Sequence, residues 1–242
     1  MLKSMATRTG IVGVLFVFLA LNVSVAAPGP ASRGRPTFTE ADVEAKLARM
    51  HELLQKNRRK EVAEEFKGDD LMAWVSVFKD RTIGTQKAGE ALHLRGTSFA
   101  AGKDYARAEK DLKFALELSP SNGYMWNSLG GVYRSIKDDD KALDAYNKAF
   151  EFEGTPNGRK SYGWMPISST MSAASILMHQ TKCREALQTL ERYNDEDIGR
   201  MSVCWAAGIL RAYGKVYLAM GREEEGLAKF KAALELENKK GE

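Results

Sequence analysis

The chain has 242 residues, of which 44% are hydrophobic and 28% are charged, and its formal net charge is +4. Because Lys and Arg are interspersed with Asp and Glu, the chain lacks the concentrated basic stripe of a nucleic-acid-binding protein, and we expect no nucleic acid among its partners. Its length suits one extended domain with a substantial core.

Residues 1–27 have the features of a secretory signal peptide. Lys3 and Arg8 precede an uncharged segment with an apolar core over Ile11–Leu21, and small residues suited to cleavage follow it. This core is shorter than the about 20 residues that span a bilayer, although extending it to Ala27 also permits an uncleaved membrane anchor. We expect an exported protein, periplasmic or secreted, with no stable membrane insertion after cleavage. The anchored form is the alternative.

Residues 28–38 contain three prolines, two glycines and two arginines, a composition that predicts a flexible linker. Thr39 and Asp42 then form a helix-capping signal, because the hydroxyl can accept a backbone amide and the acid faces the positive end of the helix dipole. A helix is predicted to start near Glu40. Its apolar stripe recurs every three or four residues, at Val43, Leu47, Met50 and Leu54.

This first helix begins a divergent helical unit that we place at residues 40–84. Shorter helical stretches are predicted at Arg59–Phe66 and Asp70–Lys79. Gly68 and Gly84 are predicted to break the helices on either side of the second stretch.

The next residues show a repeat. The pattern Leu92-x-x-x-Gly96-x-x-Phe99 recurs as Trp126-x-x-Leu129-Gly130-x-x-Tyr133, and Ala108 and Ala115 recur as Ala142 and Ala149. Small and aromatic residues at fixed offsets, repeated roughly every 34 residues, are typical of helix pairs that bury their apolar faces by stacking on their neighbours. The sequence therefore predicts a helical repeat protein.

These residues resemble the tetratricopeptide repeat. Two units match it in phase, at residues 89–122 and 123–156, with Arg95 in place of the usual Leu and Gly154 in place of the usual Pro. A fourth unit fits residues 207–240 and departs from the pattern at Gly226. A divergent third unit is placed at residues 167–200, with helices at Ser169–Gln180 and Cys183–Tyr193 and a turn at Asp195–Ile198. The resemblance implies an all-α fold, a right-handed α-α superhelix of antiparallel helix pairs.

In this family the first helices of successive pairs line a concave groove that holds a peptide or a partner helix. The resemblance therefore implies a partner-binding groove, basic toward its C-terminal end and suited to an acidic peptide or protein segment. The alternative is that Arg134, Arg211 and Lys215 are ordinary solvated charges. The positions carried over from the family are His93, Thr97, Tyr124, Asn127, Arg134, Met171, Ser175, Met178, His179, Arg211 and Lys215.

A loop over residues 157–166 interrupts the period between the second and third units. Its aromatic and basic residues, Arg159, Tyr162 and Trp164, form a second candidate partner-binding patch. The alternative is that Trp164 folds back and packs on the helices.

Two cysteines complete the set of candidate sites. Cys183 and Cys204 lie on predicted helices, and either form a disulfide in an oxidising compartment or remain small, half-buried residues. His51, His93 and His179 fit no zinc or nucleophile motif, so we expect no catalytic residue, no metal and no cofactor.

The sequence is thus interpreted as an exported, non-catalytic adaptor or scaffold of the cell envelope that binds protein partners. Two alternatives stay open: a structural envelope component anchored by its N-terminus, and a subunit of an envelope enzyme complex. The apolar edge of the last predicted helix, with Leu227, Phe230, Leu234 and Leu236, predicts weak self-association or the docking of a partner.

Overall fold

The computed structural model describes residues 38–153 and 163–238. The predicted signal peptide (residues 1–27), nearly all of the linker, and the loop residues Arg159 and Tyr162 lie outside the described residues. Among the helices that are described, none combines the length and the apolarity needed to cross a membrane.

All the regular structure in the described ranges is helical, which confirms the all-α prediction. A 3₁₀ helix at Leu71–Ser76 lies between the second and third α-helices. The α-helices are α1 (Glu40–Gln55), α2 (Arg59–Glu65), α3 (Arg81–Ala101), α4 (Tyr105–Leu118), α5 (Gly123–Ser135), α6 (Asp139–Glu153), α7 (Trp164–His179), α8 (Cys183–Leu190), α9 (Asp195–Gly199), α10 (Val203–Ala219) and α11 (Glu223–Asn238).

The helix α1 begins where the capping signal predicts. The Thr39 hydroxyl accepts from the Asp42 amide at 3.2 Å, and the Asp42 carboxylate accepts from the Thr39 amide at 2.8 Å. The buried stripe runs through Val43, Leu47 and Met50 as expected, but it ends on Leu53, while Leu54 is half-buried.

Gly84 does not break a helix, which corrects the prediction. It lies in the first turn of α3, which starts at Arg81 and is capped by the Asp80 carboxylate. A Cβ at Gly84 would lie 2.6 Å from the carbonyl oxygen of Val75. The glycine is present because the 3₁₀ helix approaches α3 closely at this point.

The third predicted unit starts earlier than expected. The helix α7 begins at Trp164, inside the predicted loop 157–166 and five positions before Ser169. Pro166 fits there because a residue in the first helical turn has no intrahelical acceptor for the amide that proline lacks. At the other end, α8 stops at Leu190, and the predicted turn at Asp195–Ile198 is the short helix α9.

Consecutive helices pair and stack. The most extensive contacts join α3 with α4, α5 with α6, and α10 with α11. Between pairs, α4 contacts α5, α6 contacts α7, and α7 contacts α10. Small residues allow the close approach within pairs: a Cβ on Gly130 of α5 would lie 2.9 Å from the Tyr146 ring of α6. Cys183 and Cys204 are free thiols, so the disulfide alternative is not formed in this structure.

Candidate functional site

The first helices of the successive pairs lie side by side. The helix α5 contacts α3 and α7, and α7 also contacts α10. Residues three or four apart along one helix share a face, so each of these helices presents one stripe of side chains to a common surface. The first helices of the pairs thus form one continuous surface.

A groove of about 590 Å³, open to solvent, lies on this surface between α5, α7 and α10. We call it the α5–α7–α10 groove. Seven residues carried over from the repeat pattern line it together: Arg134, Met171, Ser175, Met178, His179, Arg211 and Lys215.

The charges of the α5–α7–α10 groove have one sign. Arg134, Arg211 and Lys215 line it, and His179 stands exposed beside them. None of its described lining residues is an Asp or a Glu. Such a surface attracts acidic groups, and the planar guanidinium of Arg binds a carboxylate through two parallel hydrogen bonds.

Apolar side chains form the rest of the groove. Met171 and Met178 of α7 face Trp205 of α10, and all three are half-buried. A Cβ on Gly208 would lie 3.4 Å from the Met171 methyl group, so the glycine leaves room for this side chain. Methionine is flexible and polarisable, and it adapts to partners of different shape.

Arg134 lies beside a buried tyrosine. Burial raises the pKa of the Tyr146 hydroxyl, and hydrogen bonding to Ser172 and the positive charge of Arg134 act in the opposite direction. The α5 arginine thus contacts Tyr146 of α6, while its own side chain remains exposed to the groove.

Arg211 is held by a carboxylate from the last helix. Its Nη1 and Nη2 donate to Oε1 and Oε2 of Glu237 at 2.8 and 2.5 Å. The hydrogen bond to Arg211 lowers the pKa of Glu237, and the hydrogen bond to Glu237 raises the pKa of Arg211. Glu237 was not among the predicted site residues, because the repeat pattern assigns the groove to first helices and α11 is a second helix.

His93 and Thr97 on α3 are not brought to the α5–α7–α10 groove. His93 Nε2 lies 2.9 Å from the Ser128 hydroxyl, and burial lowers the pKa of the imidazole to about 4. Thr97 donates its hydroxyl to the carbonyl oxygen of Leu94 in its own helix at 3.0 Å. Both side chains serve local packing in this structure.

Asn127 and Tyr124 contact α7 rather than the centre of the groove. The Asn127 side-chain oxygen accepts from the Ser169 hydroxyl at 2.8 Å, which ties α5 to α7. The Tyr124 ring meets the Trp164 ring edge-on, with 5.7 Å between the centroids. Trp164 therefore packs on the helices with one side and remains 48% exposed with the other.

Sequence reasoning missed six described lining residues of the groove: Ser168, Ser172, Ala174, Trp205, Gly208 and Ala212. Trp205 was missed because the fourth unit was predicted to start at residue 207, whereas α10 starts at Val203. Trp205, Gly208 and Arg211 are spaced three residues apart, so they share one face of α10. Following this face from Arg211 toward the start of the helix would have identified Gly208 and Trp205.

Within residues 38–153 and 163–238, no group of three or more His, Cys, Asp and Glu side chains is placed to hold a metal ion.

Comparison with known proteins identifies the repeat. Residues 93–156 match the family model described as the tetratricopeptide repeat. The peroxisomal targeting signal receptor of Kluyveromyces lactis is 24% identical over 130 residues, a segment that covers 53% of this chain and 22% of the receptor. The chain thus spans less than a quarter of the length of this relative.

Solved structures share the architecture. A putative kinesin light chain of Podosopora anserina with nearly identical TPR-like repeats aligns at a TM-score of 0.63 and 12% identity, covering 82% of this chain and 96% of the other. A MamA protein structure aligns at a TM-score of 0.55 and 19% identity, covering 82% and 95%. At these identities the likeness concerns the fold, a right-handed α-α solenoid of antiparallel helix pairs, as predicted.

Proposed function

We propose that this chain, which carries tetratricopeptide repeats, is a non-catalytic scaffold that binds an acidic peptide or protein segment in the α5–α7–α10 groove. The observation that supports this proposal is the charge of the groove, whose described lining includes Arg134, Arg211 and Lys215 and no Asp or Glu, although Glu237 of α11 pairs with Arg211. A ligand that brings carboxylates satisfies these cations, while a basic ligand is repelled.

The apolar side of the groove adds a second requirement. Met171, Met178 and Trp205 offer half-buried apolar surface between the cations, and burying such surface stabilises a complex. The ligand therefore combines acidic residues with at least one apolar side chain. That a repeat-sharing relative is, by its name, a receptor for a targeting signal is consistent with recognition of a short segment.

Peptide binding tests this function. Fluorescence anisotropy is measured for a Glu-rich peptide with one central Leu and for a Lys-rich peptide of the same length. We expect the Glu-rich peptide to bind, and Arg134→Glu with Lys215→Glu to abolish binding because the groove becomes acidic.

The matched control reverses the charges of an Arg and a Lys that lie outside the groove. Arg59 and Lys60 are exposed on α2, outside the groove, so Arg59→Glu with Lys60→Glu makes the same change in net charge. Binding that survives in the control and is lost in the groove variant supports the site. Equal loss in both, or equal affinity for the two peptides, contradicts it.

A non-catalytic role is part of the proposal. His179 is the histidine of the groove, and neither an acid to orient it nor a cysteine nucleophile stands among the described lining residues. The positive charges serve binding in this interpretation, and the alternative of a subunit in an enzyme complex places any chemistry in another chain.

Export is the second part of the proposal, and it rests on the sequence of residues 1–27. Expression of the full chain in a bacterial host, followed by fractionation and N-terminal sequencing, tests it. We expect an exported form that begins near residue 28, and a variant without residues 1–27 that stays in the cytoplasm. An intact N-terminus in the membrane fraction favours the anchored alternative, and an intact N-terminus in the cytoplasm contradicts export.

A further inference from the structure

Arg211 lies on the groove-facing side of α10, and its guanidinium is already bound within the chain. Both of its terminal nitrogens donate to the two carboxylate oxygens of Glu237. This is the paired geometry in which an arginine receives a carboxylate from a ligand. A carboxylate of the protein therefore occupies the position on Arg211 that the proposed function assigns to the partner.

Glu237 stands at an unfavourable place in its own helix. It belongs to the last turn of α11, where the partial negative charge of the helix end favours cations, yet no basic residue is present in that turn. Arg211 supplies the favourable contact that α11 itself does not. The position of Glu237 is thus explained by its ion pair with Arg211 rather than by a favourable interaction within α11.

The ion pair between Arg211 and Glu237 is weak enough for another carboxylate to replace Glu237. The side chains of Arg211 and Glu237 are 42% and 39% exposed, and ion pairs of this exposure shift an equilibrium by about fivefold or less. The last turn of a helix also lacks intrahelical partners for its carbonyl groups and opens at little cost. Glu237 can leave Arg211 while the rest of α11 stays folded.

We propose that Glu237 is an internal competitor for the groove, which occupies Arg211 in the free protein and gives way to a carboxylate of the acidic ligand. This inference rests on the proposed function of the α5–α7–α10 groove. Arg134 and Lys215 attract the ligand first, and the exchange of carboxylates on Arg211 then adjusts its affinity. Removing the Glu237 carboxylate strengthens binding because every groove cation stays in place.

The affinity of the full chain for the same Glu-rich peptide tests whether Glu237 competes with the ligand. Glu237→Gln is compared with Glu235→Gln, which removes the same charge from the same end of α11. Glu235 is a matched control because its carboxylate contacts Lys231 of its own helix, at 3.9 Å, and not a groove residue. We expect Glu237→Gln to bind the peptide about threefold to fivefold more tightly than the wild type, and Glu235→Gln to bind like the wild type.

A second comparison ties the effect to Arg211. In an Arg211→Gln background, Glu237→Gln should no longer change the affinity, because the residue for which it competes is absent. Thermal denaturation of each variant checks that α11 remains folded.

The outcomes separate the two proposals. If the wild type binds the peptide and Glu237→Gln binds it no more tightly, the proposal that Glu237 competes with the ligand is wrong and the proposed function of the groove stands. Equal tightening by Glu237→Gln and Glu235→Gln reveals an effect of net charge and also overturns the competitor. If no form of the protein binds the peptide, the proposed function fails and the inference fails with it.

Discussion

Arg95 stands where the repeat pattern has a leucine, and its contacts explain the exchange. Its Nε and Nη2 donate to the two carboxylate oxygens of Asp111 on α4, at 2.7 and 2.8 Å. Its Nη1 donates to the carbonyl oxygens of Phe66 and Asp69 at 2.9 and 2.7 Å. A single buried side chain thus joins the first repeat to the chain segment that follows α2.

We predict that Arg95→Leu destabilises the protein although it restores the repeat consensus. It leaves the buried Asp111 carboxylate unpaired, and breaking a buried pair in this way costs about 3–5 kcal/mol. Adding Asp111→Ala should recover part of the loss because the unpaired charge is removed. Chemical denaturation measures both variants, and a double variant no more stable than Arg95→Leu alone contradicts the pairing.

The imidazole of His93 predicts a pH dependence. Burial lowers its pKa to about 4, although the negative charge of Glu90 acts to raise it. In the unfolded chain the imidazole has an ordinary pKa of about 6.5, so between these values the unfolded state binds a proton that the folded state does not. The stability contributed by His93 is therefore present above about pH 6.5 and is lost as the pH falls toward 4.

The comparison of wild type with His93→Gln isolates this effect. Gln keeps a group that can hydrogen-bond to Ser128 and does not titrate. Between pH 7 and pH 4.5 we expect the wild type to lose roughly 2 kcal/mol more unfolding free energy than the variant. Parallel pH profiles for the two proteins would show that His93 titrates alike in the folded and unfolded states.

Two adjacent glycines on α5 have different surroundings within the α5–α6 helix pair. A Cβ on Gly130 would lie 2.9 Å from the buried Tyr146 ring, whereas a Cβ on Gly131 would meet only the Tyr146 hydroxyl, at 3.9 Å. Gly130 is therefore needed for the contact of α5 with α6, and Gly131 is not.

We predict opposite effects for alanine at the two positions. Gly130→Ala should destabilise by about 1–3 kcal/mol because the ring cannot move without disturbing the core. Gly131→Ala should be neutral or stabilising by up to about 1 kcal/mol, since alanine favours the helix. The denaturation midpoints of the two variants measure these effects. An equal shift for both variants contradicts the conclusion that only Gly130 is needed for the contact of α5 with α6.

The elements that the sequence predicts best are those whose small and apolar residues follow the repeat. The pairs α3–α4 and α5–α6 carry the pattern, and α1 carries a readable capping signal. The prediction for Gly84 was wrong because it depends on the approach of Val75 from another element. The predicted start of α7 was wrong because Pro166 is tolerated in the first turn of the helix. Glu237 was missed because the repeat pattern assigns the groove to first helices and does not show which side chain of α11 reaches Arg211.

Helix α11 exposes large apolar side chains on one of its faces. On α11, Leu227 and Leu234 are 62% and 55% exposed and lie two turns apart on the same side. Two leucines provide far less area than the about 800 Å² per partner of a stable interface. A contact between two copies through this face is accordingly weak.

We therefore predict concentration-dependent self-association that Leu227→Glu with Leu234→Glu abolishes. The glutamates place like charges opposite each other in an interface formed by two copies of the same face. Ile83→Glu is the control, because Ile83 is exposed to a comparable degree on α3, away from α11. Light scattering across a concentration series measures the average mass. A mass that stays monomeric for the wild type at high concentration, or that falls equally in the Ile83 variant, contradicts association through α11.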